Sequence, residues 1–185
     1  MASVVEVLRE EHRNIARLLD ALEHQIGVFA EGGDPDYDIV RGVADYFGEF
    51  PDRCHHPKEN VIFARLKAVD PAAASAVGDL VDEHRAVHQR VGQFRQDIDQ
   101  LLSESDIARD RVVDTASGFI EAERQHMRME EELFLPLAEQ RLTPADWSAI
   151  EAALANRADP LFGGKVEAQF KALSERLIAW EEEFR

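Results

Sequence analysis

Cysteine is nearly missing from this chain: Cys54 is the only one in 185 residues. A lone thiol excludes an intramolecular disulfide framework and any multi-cysteine zinc site. Positive charge is also scarce, with 21 Lys and Arg against 37 Asp and Glu and a net charge of −16. That surplus repels phosphate backbones and anionic lipid, so nucleic-acid binding and polybasic membrane attachment are excluded first. No apolar run approaches the roughly 18 residues of a membrane span. Glu6, Arg9, Glu10 and Glu11 put charge too early for a signal-peptide core. The expected compartment is a reducing cytoplasm. What is there, 45% hydrophobic and 31% charged residues, is globular composition in a chain able to bury a full core.

Proline marks the joints. Asp34-Pro35, Asp70-Pro71 and Thr143-Pro144 each pair a capping oxygen with proline at a first helical position. A fourth, polar break falls at Ser103-Glu104-Ser105-Asp106. Four segments remain, about 3–30, 35–67, 71–102 and 106–141, each able to form a helix of roughly 40–50 Å. Apolar residues recur every three or four positions in all of them. The stripes run through Leu8, Ile15, Leu19 and Leu22; Ile39, Val43, Phe47 and Cys54; Val77, Leu80, Val87 and Phe94; and Ala116, Phe119, Leu133 and Leu137. Pro51 and Pro57 should bend the second segment. The fold expected is all-α, an antiparallel up-down four-helix bundle over residues 1–141. Residues 142–185 add helices whose stripe, Val166, Phe170, Leu173, Leu177, Trp180 and Phe184, packs on the bundle or forms a homodimer surface.

Histidine and glutamate interrupt the stripes. His12, His84, His126 and Glu130 stand where a bundle puts Leu or Val, with His88 one turn past His84 and Glu59 one turn past His55. Counted from the helix ends, all seven lie roughly 12–26 Å from one end of the bundle. Buried charge costs several kcal/mol unless paired or metal-bound. Five imidazoles and two carboxylates are too many for one tetrahedral zinc. They suit two ions, and mixed nitrogen and oxygen ligation favours iron.

Taken together, Glu-Glu-His12-Arg-Asn-Ile, His55-His56-Pro-Lys-Glu59, His84-x3-His88 and His126-x3-Glu130 before Glu-Glu-Leu-Phe-Leu-Pro resemble the hemerythrin-like, or HHE cation-binding, family over about residues 5–140. The resemblance implies a non-haem di-iron centre held by His12, His55, Glu59, His84, His88, His126 and Glu130. Two carboxylates and an oxo or hydroxo group would bridge the irons. The histidines would divide three and two, leaving one position open for O2 or a similar small ligand. In oxygen-carrying relatives the last carboxylate is an aspartate five residues after its histidine. Position i+5 here is Glu131, and the symmetry with His55 and Glu59 selects Glu130 instead.

Reversible O2 binding or sensing is the leading function. A redox enzyme acting on peroxide or nitric oxide on the same centre is the alternative. A ferritin-like iron oxidase is a weaker third reading, since Asp52-x2-His55 and Glu123-x2-His126 imitate its signature but leave His84 and His88 unexplained. A vestigial structural bundle is disfavoured, because all seven ligand positions are filled. His24 points away from the seam and reads as a surface histidine. His56 belongs to the motif by sequence and is given little weight as a ligand. Cys54 reads as an inert buried thiol. Glu123 either orients a ligand imidazole or pairs with a neighbouring arginine.

Overall fold

A computed structural model describes residues 3–103, 106–154 and 159–183. Glu104, Ser105 and Phe184, named above, lie outside them. The described residues are helical, with no strand among them. Helix α1 is Val4–Ala30, started by a capping box between Ser3 and Glu6. The second bundle arm is α2 (Tyr37–Phe47), a π-helical stretch Pro51–His55, and α3 (His56–Val69). Its cap is Asp36, whose carboxylate accepts from the amides of Asp38 and Ile39, so the helix starts beyond the expected Asp34-Pro35 joint.

The third segment is not one helix. It breaks into α4 (Pro71–Val77) and α5 (Leu80–Leu102). Gly78 sits at φ +95°, a conformation that glycine adopts without strain, and Asp79 caps the new helix through the Asp82 amide. Helix α6 (Arg109–Met129) begins at Ala108 with no side-chain cap, so the polar break supplies none. It continues through a second π stretch, Glu130–Phe134, into α7 (Leu135–Arg141).

Both π stretches end two residues before a proline. Pro57 and Pro136 have no amide proton, and a proline ring collides with the carbonyl four residues back. The turn widens instead, and the His56 amide donates to the Pro51 carbonyl, as Leu135 does to Glu130. The second widening adds a residue to the turn and moves the inward face of the arm. Phe134, Leu135 and Ala138 are buried, whereas Leu133, expected inside, is 36% exposed and Leu137 is half-buried.

The arms close a ring in which α1 packs on α2, α2 on α5, α5 on α6, and α6 on α1. Two apolar clusters fill it. The larger includes Ile15, Leu19, Val43, Phe50, Val91, Phe94 and Phe119; the smaller includes Leu8, Ile62, Phe63, Leu80 and Phe134. Helix α8 (Pro144–Ala153) packs on α3, and α9 (Lys171–Glu183) packs on α1 and α2. The C-terminal stripe is therefore covered through Phe170, Leu173 and Leu177. Gly42 lets α9 approach, since a Cβ there would lie 2.8 Å from Leu173. The Tyr46 hydroxyl donates to the buried Asp159 at 2.8 Å. His24 is half-buried rather than solvated, because α9 brings Trp180 within 6.0 Å of its ring.

Candidate metal centre

Between the two apolar clusters lies one polar layer. On α1, His12 falls between Leu8 of the smaller cluster and Ile15 of the larger; on α5, His84 falls between Leu80 and Val87. The layer brings together His12, His55, Glu59, His84, His126 and Glu130, each at most 5% exposed. It adds His56, 4% exposed, whose ring stacks on His84 with centroids 3.9 Å apart. His88 stands apart. It lies 40° round from the seam, its side chain is 55% exposed, and its Nδ1 is 2.5 Å from Asp52 Oδ2.

Two overlapping groups of close donor atoms result: His12, His55, Glu59 and Glu130, and His56, Glu59, His84 and His126. Each glutamate divides its oxygens between them. Glu59 Oε1 faces His12 and His55 at 3.4 and 3.1 Å, and its Oε2 faces His84 at 3.3 Å. Glu130 Oε2 is 3.3 Å from His12, while Oε1 is 3.4 and 3.2 Å from His84 and His126. Both Glu59 oxygens, Glu130 Oε2, and the Nε2 atoms of His56 and His126 are buried without a hydrogen-bond partner. Imidazole nitrogens and carboxylate oxygens left unsatisfied at a shared centre are a donor set that fits cations.

Carboxylates hold the rings from outside. Glu131 Oε1 meets His12 Nδ1 at 2.7 Å, Glu11 Oε2 meets His55 Nδ1 at 2.9 Å, Asp52 Oδ1 meets His56 Nδ1 at 3.1 Å, and Glu83 Oε2 meets His126 Nδ1 at 3.4 Å. Glu11 also takes a 2.6 Å contact from the buried Lys58. An Nδ1–H donated outward leaves the Nε2 lone pair facing the centre. Sequence reasoning missed Glu11, Asp52 and Glu83 in this role. The available signal was Glu directly before His at 11–12 and 83–84, and Asp52 one turn before His56.

Without metal, protons take the cations' place. Burial opposes a charge on His12, but contacts with Glu130, Glu131 and Glu59 outweigh it and raise its pKa to about 12. For His55 and His84 the same contest ends at about 9. Burial lowers His56 to about 4 against the pull of Asp52. Glu59 and Glu130 stay below the usual carboxylate range, because the histidines overcome the cost of burying their charge. Glu123 differs: burial raises its pKa, its Oε2 has no partner, and Arg124 turns away to Asp20 and Glu23.

No helix among the described residues is long and apolar enough to cross a membrane. Comparison with curated proteins and with solved structures returned no match. The family model for the hemerythrin HHE cation-binding domain does match, over residues 3–138. That span covers most of the chain and holds every residue of the polar layer, so the chain belongs to the hemerythrin HHE cation-binding family.

Proposed function

We propose that the layer holds two iron ions and that the protein, placed in the cytoplasm, binds or senses O2 or a related small ligand. The division of both buried glutamates between two histidine groups carries this reading. His12 and His55, with Glu59 Oε1 and Glu130 Oε2, would hold one ion. His56, His84 and His126, with Glu59 Oε2 and Glu130 Oε1, would hold the other. The first group supplies one nitrogen fewer, which leaves a position for the ligand. Iron held there would supply reversible one-electron chemistry at each ion. The chain's own part is to exclude water with the two apolar clusters and to fix the rings of His12, His55, His56 and His126 from outside.

Anaerobic reconstitution should give about two irons per chain, with an absorption spectrum that changes in air and reverts when oxygen is removed. One zinc per chain, with no iron taken up, would overturn the reading. A second reading, a redox enzyme for peroxide or nitric oxide, is favoured by Glu123. Burial makes its carboxyl hold a proton more tightly than an exposed one, one turn before His126, which suits a reaction that takes up protons. Glu123→Gln protein that keeps the iron spectrum but loses peroxide or nitric oxide consumption would establish the enzyme.

A further inference from the structure

Among the described residues, clefts reach the polar layer from the surface on several sides. One opens beside His12 and is framed by Arg9, Arg13, Arg124 and Arg128. A second opens beside His126 with Arg90 in its wall. The third, of about 380 Å³, leads past Asp52 and His88 to His56 and His84. Only this third cleft carries a histidine and a carboxylate together ahead of the buried ligands. Its single arginine, Arg85, is tied to Asp82.

The walls of this cleft form a ladder. Asp52 and His56 are one turn apart on one arm; His88 and His84 are one turn apart on α5. The outer rung is Asp52 and His88, in contact at 2.5 Å and 45% and 55% exposed. The inner rung is His56 stacked on His84. Asp52 spans the two, with Oδ2 toward His88 and Oδ1 toward His56. Asn60 adds an amide oxygen to the same wall, buried and without a partner.

We infer that this cleft is the entry route for the metal ions, and that His88 and Asp52 form a transient divalent-cation site at its mouth which passes each ion to His56 and His84. The inference rests on the two-ion reading above. An imidazole and a carboxylate in contact give two ligands to an incoming hydrated ion, enough to capture it and too few to retain it. The next ligands lie one helical turn inward. The chain's negative charge concentrates cations at the surface, and of these mouths the one with His88 and Asp52 offers an incoming ion an imidazole and a carboxylate that are not themselves among the buried ligands.

The test follows Co2+ uptake by the metal-free full-length chain in stopped-flow absorbance. His88→Ala should slow uptake about tenfold or more while leaving the number of ions bound and the final cobalt spectrum unchanged. His88→Asp keeps a ligand at the mouth and should recover most of the rate; Arg90→Ala, on the neighbouring cleft, should not alter it. An unchanged rate in His88→Ala overturns the inference. So does a lost ion or an altered final spectrum, either of which makes His88 a resident ligand. If the unaltered chain takes up no Co2+, the two-ion reading falls first and this inference with it.

Discussion

Glu130 is sealed in the layer between His12, His84 and His126, whereas its neighbour Glu131 is one-third exposed and grips His12 from outside together with Arg9. The two differ by about 100° of helix rotation, and their replacements should differ in kind. Glu130→Gln removes a buried negative charge shared by both proposed ions, and at most one ion should remain by elemental analysis. Glu131→Gln removes a contact that orients a ring, and both ions should remain with about 10- to 100-fold weaker affinity. At this scale the sequence carried much of the layer, because a polar residue on an apolar stripe is conspicuous. His56 was hidden for the opposite reason: it lies off any stripe, and only the widened turn before it swings it inward.

Protons and metal compete for the same nitrogens. His12, His55 and His84 have pKa values raised to about 12, 9 and 9. Their contribution to the stability of the metal-free protein is complete below the ordinary histidine value of about 6.5; as pH rises it is lost through about 9 for His55 and His84 and only near 12 for His12. His56, lowered to about 4, acts in the other direction and removes stability as pH falls from about 6.5 toward 4. Denaturant titrations of metal-free protein should therefore show a decline above pH 9 that the loaded protein does not share. Metal uptake in weak buffer at neutral pH should acidify the solution.

Among the elements, the π stretches position the site, and periodicity alone could not reveal them. A stripe extrapolated at helical spacing passes through Leu133 and Leu137; one extra residue in the turn puts Phe134 and Ala138 inside instead. The prolines were visible, and their bend was expected at Pro51 and Pro57, but a bend and a widened turn are different responses to a missing donor. The break at Gly78 is hidden in the sequence for a related reason, since Val77 and Leu80 keep the stripe continuous across it. Pro57→Ala restores the amide and lets the turn close to α-helical spacing. That variant should keep its helical circular dichroism and lose metal affinity by about 10- to 100-fold, because His56 no longer swings into the layer.

In the whole molecule, a charged layer between two apolar clusters makes ion binding part of folding. Metal that binds only the folded state adds about 2.7 kcal/mol at a hundredfold excess over Kd. Melting temperature should rise with iron in the unaltered chain and in His24→Ala, and should fail to rise in His84→Ala. The bundle itself was legible because four long amphipathic segments with short joints have few alternatives. The sequence does not decide the docking of α9, since a stripe that packs on its own bundle and one that packs on a second copy look alike there.

Glu11 sits directly before His12 and reaches across to His55; Glu83 sits directly before His84 and reaches across to His126. Arg13 returns to Glu10 as Arg85 returns to Asp82. Each helical hairpin thus brings two histidines and one glutamate, His12, His55 and Glu59 from the first, His84, His126 and Glu130 from the second. The two hairpins carry one half-site pattern twice. Perfect twins would present two equivalent ions and nowhere for a ligand to choose. The position after His55 is His56, and the position after His126 is Met127, which lines the cleft beside His12. That mismatch makes the halves unequal in nitrogen donors. Met127→His should even them out, keeping both ions by elemental analysis while abolishing the spectral response to oxygen.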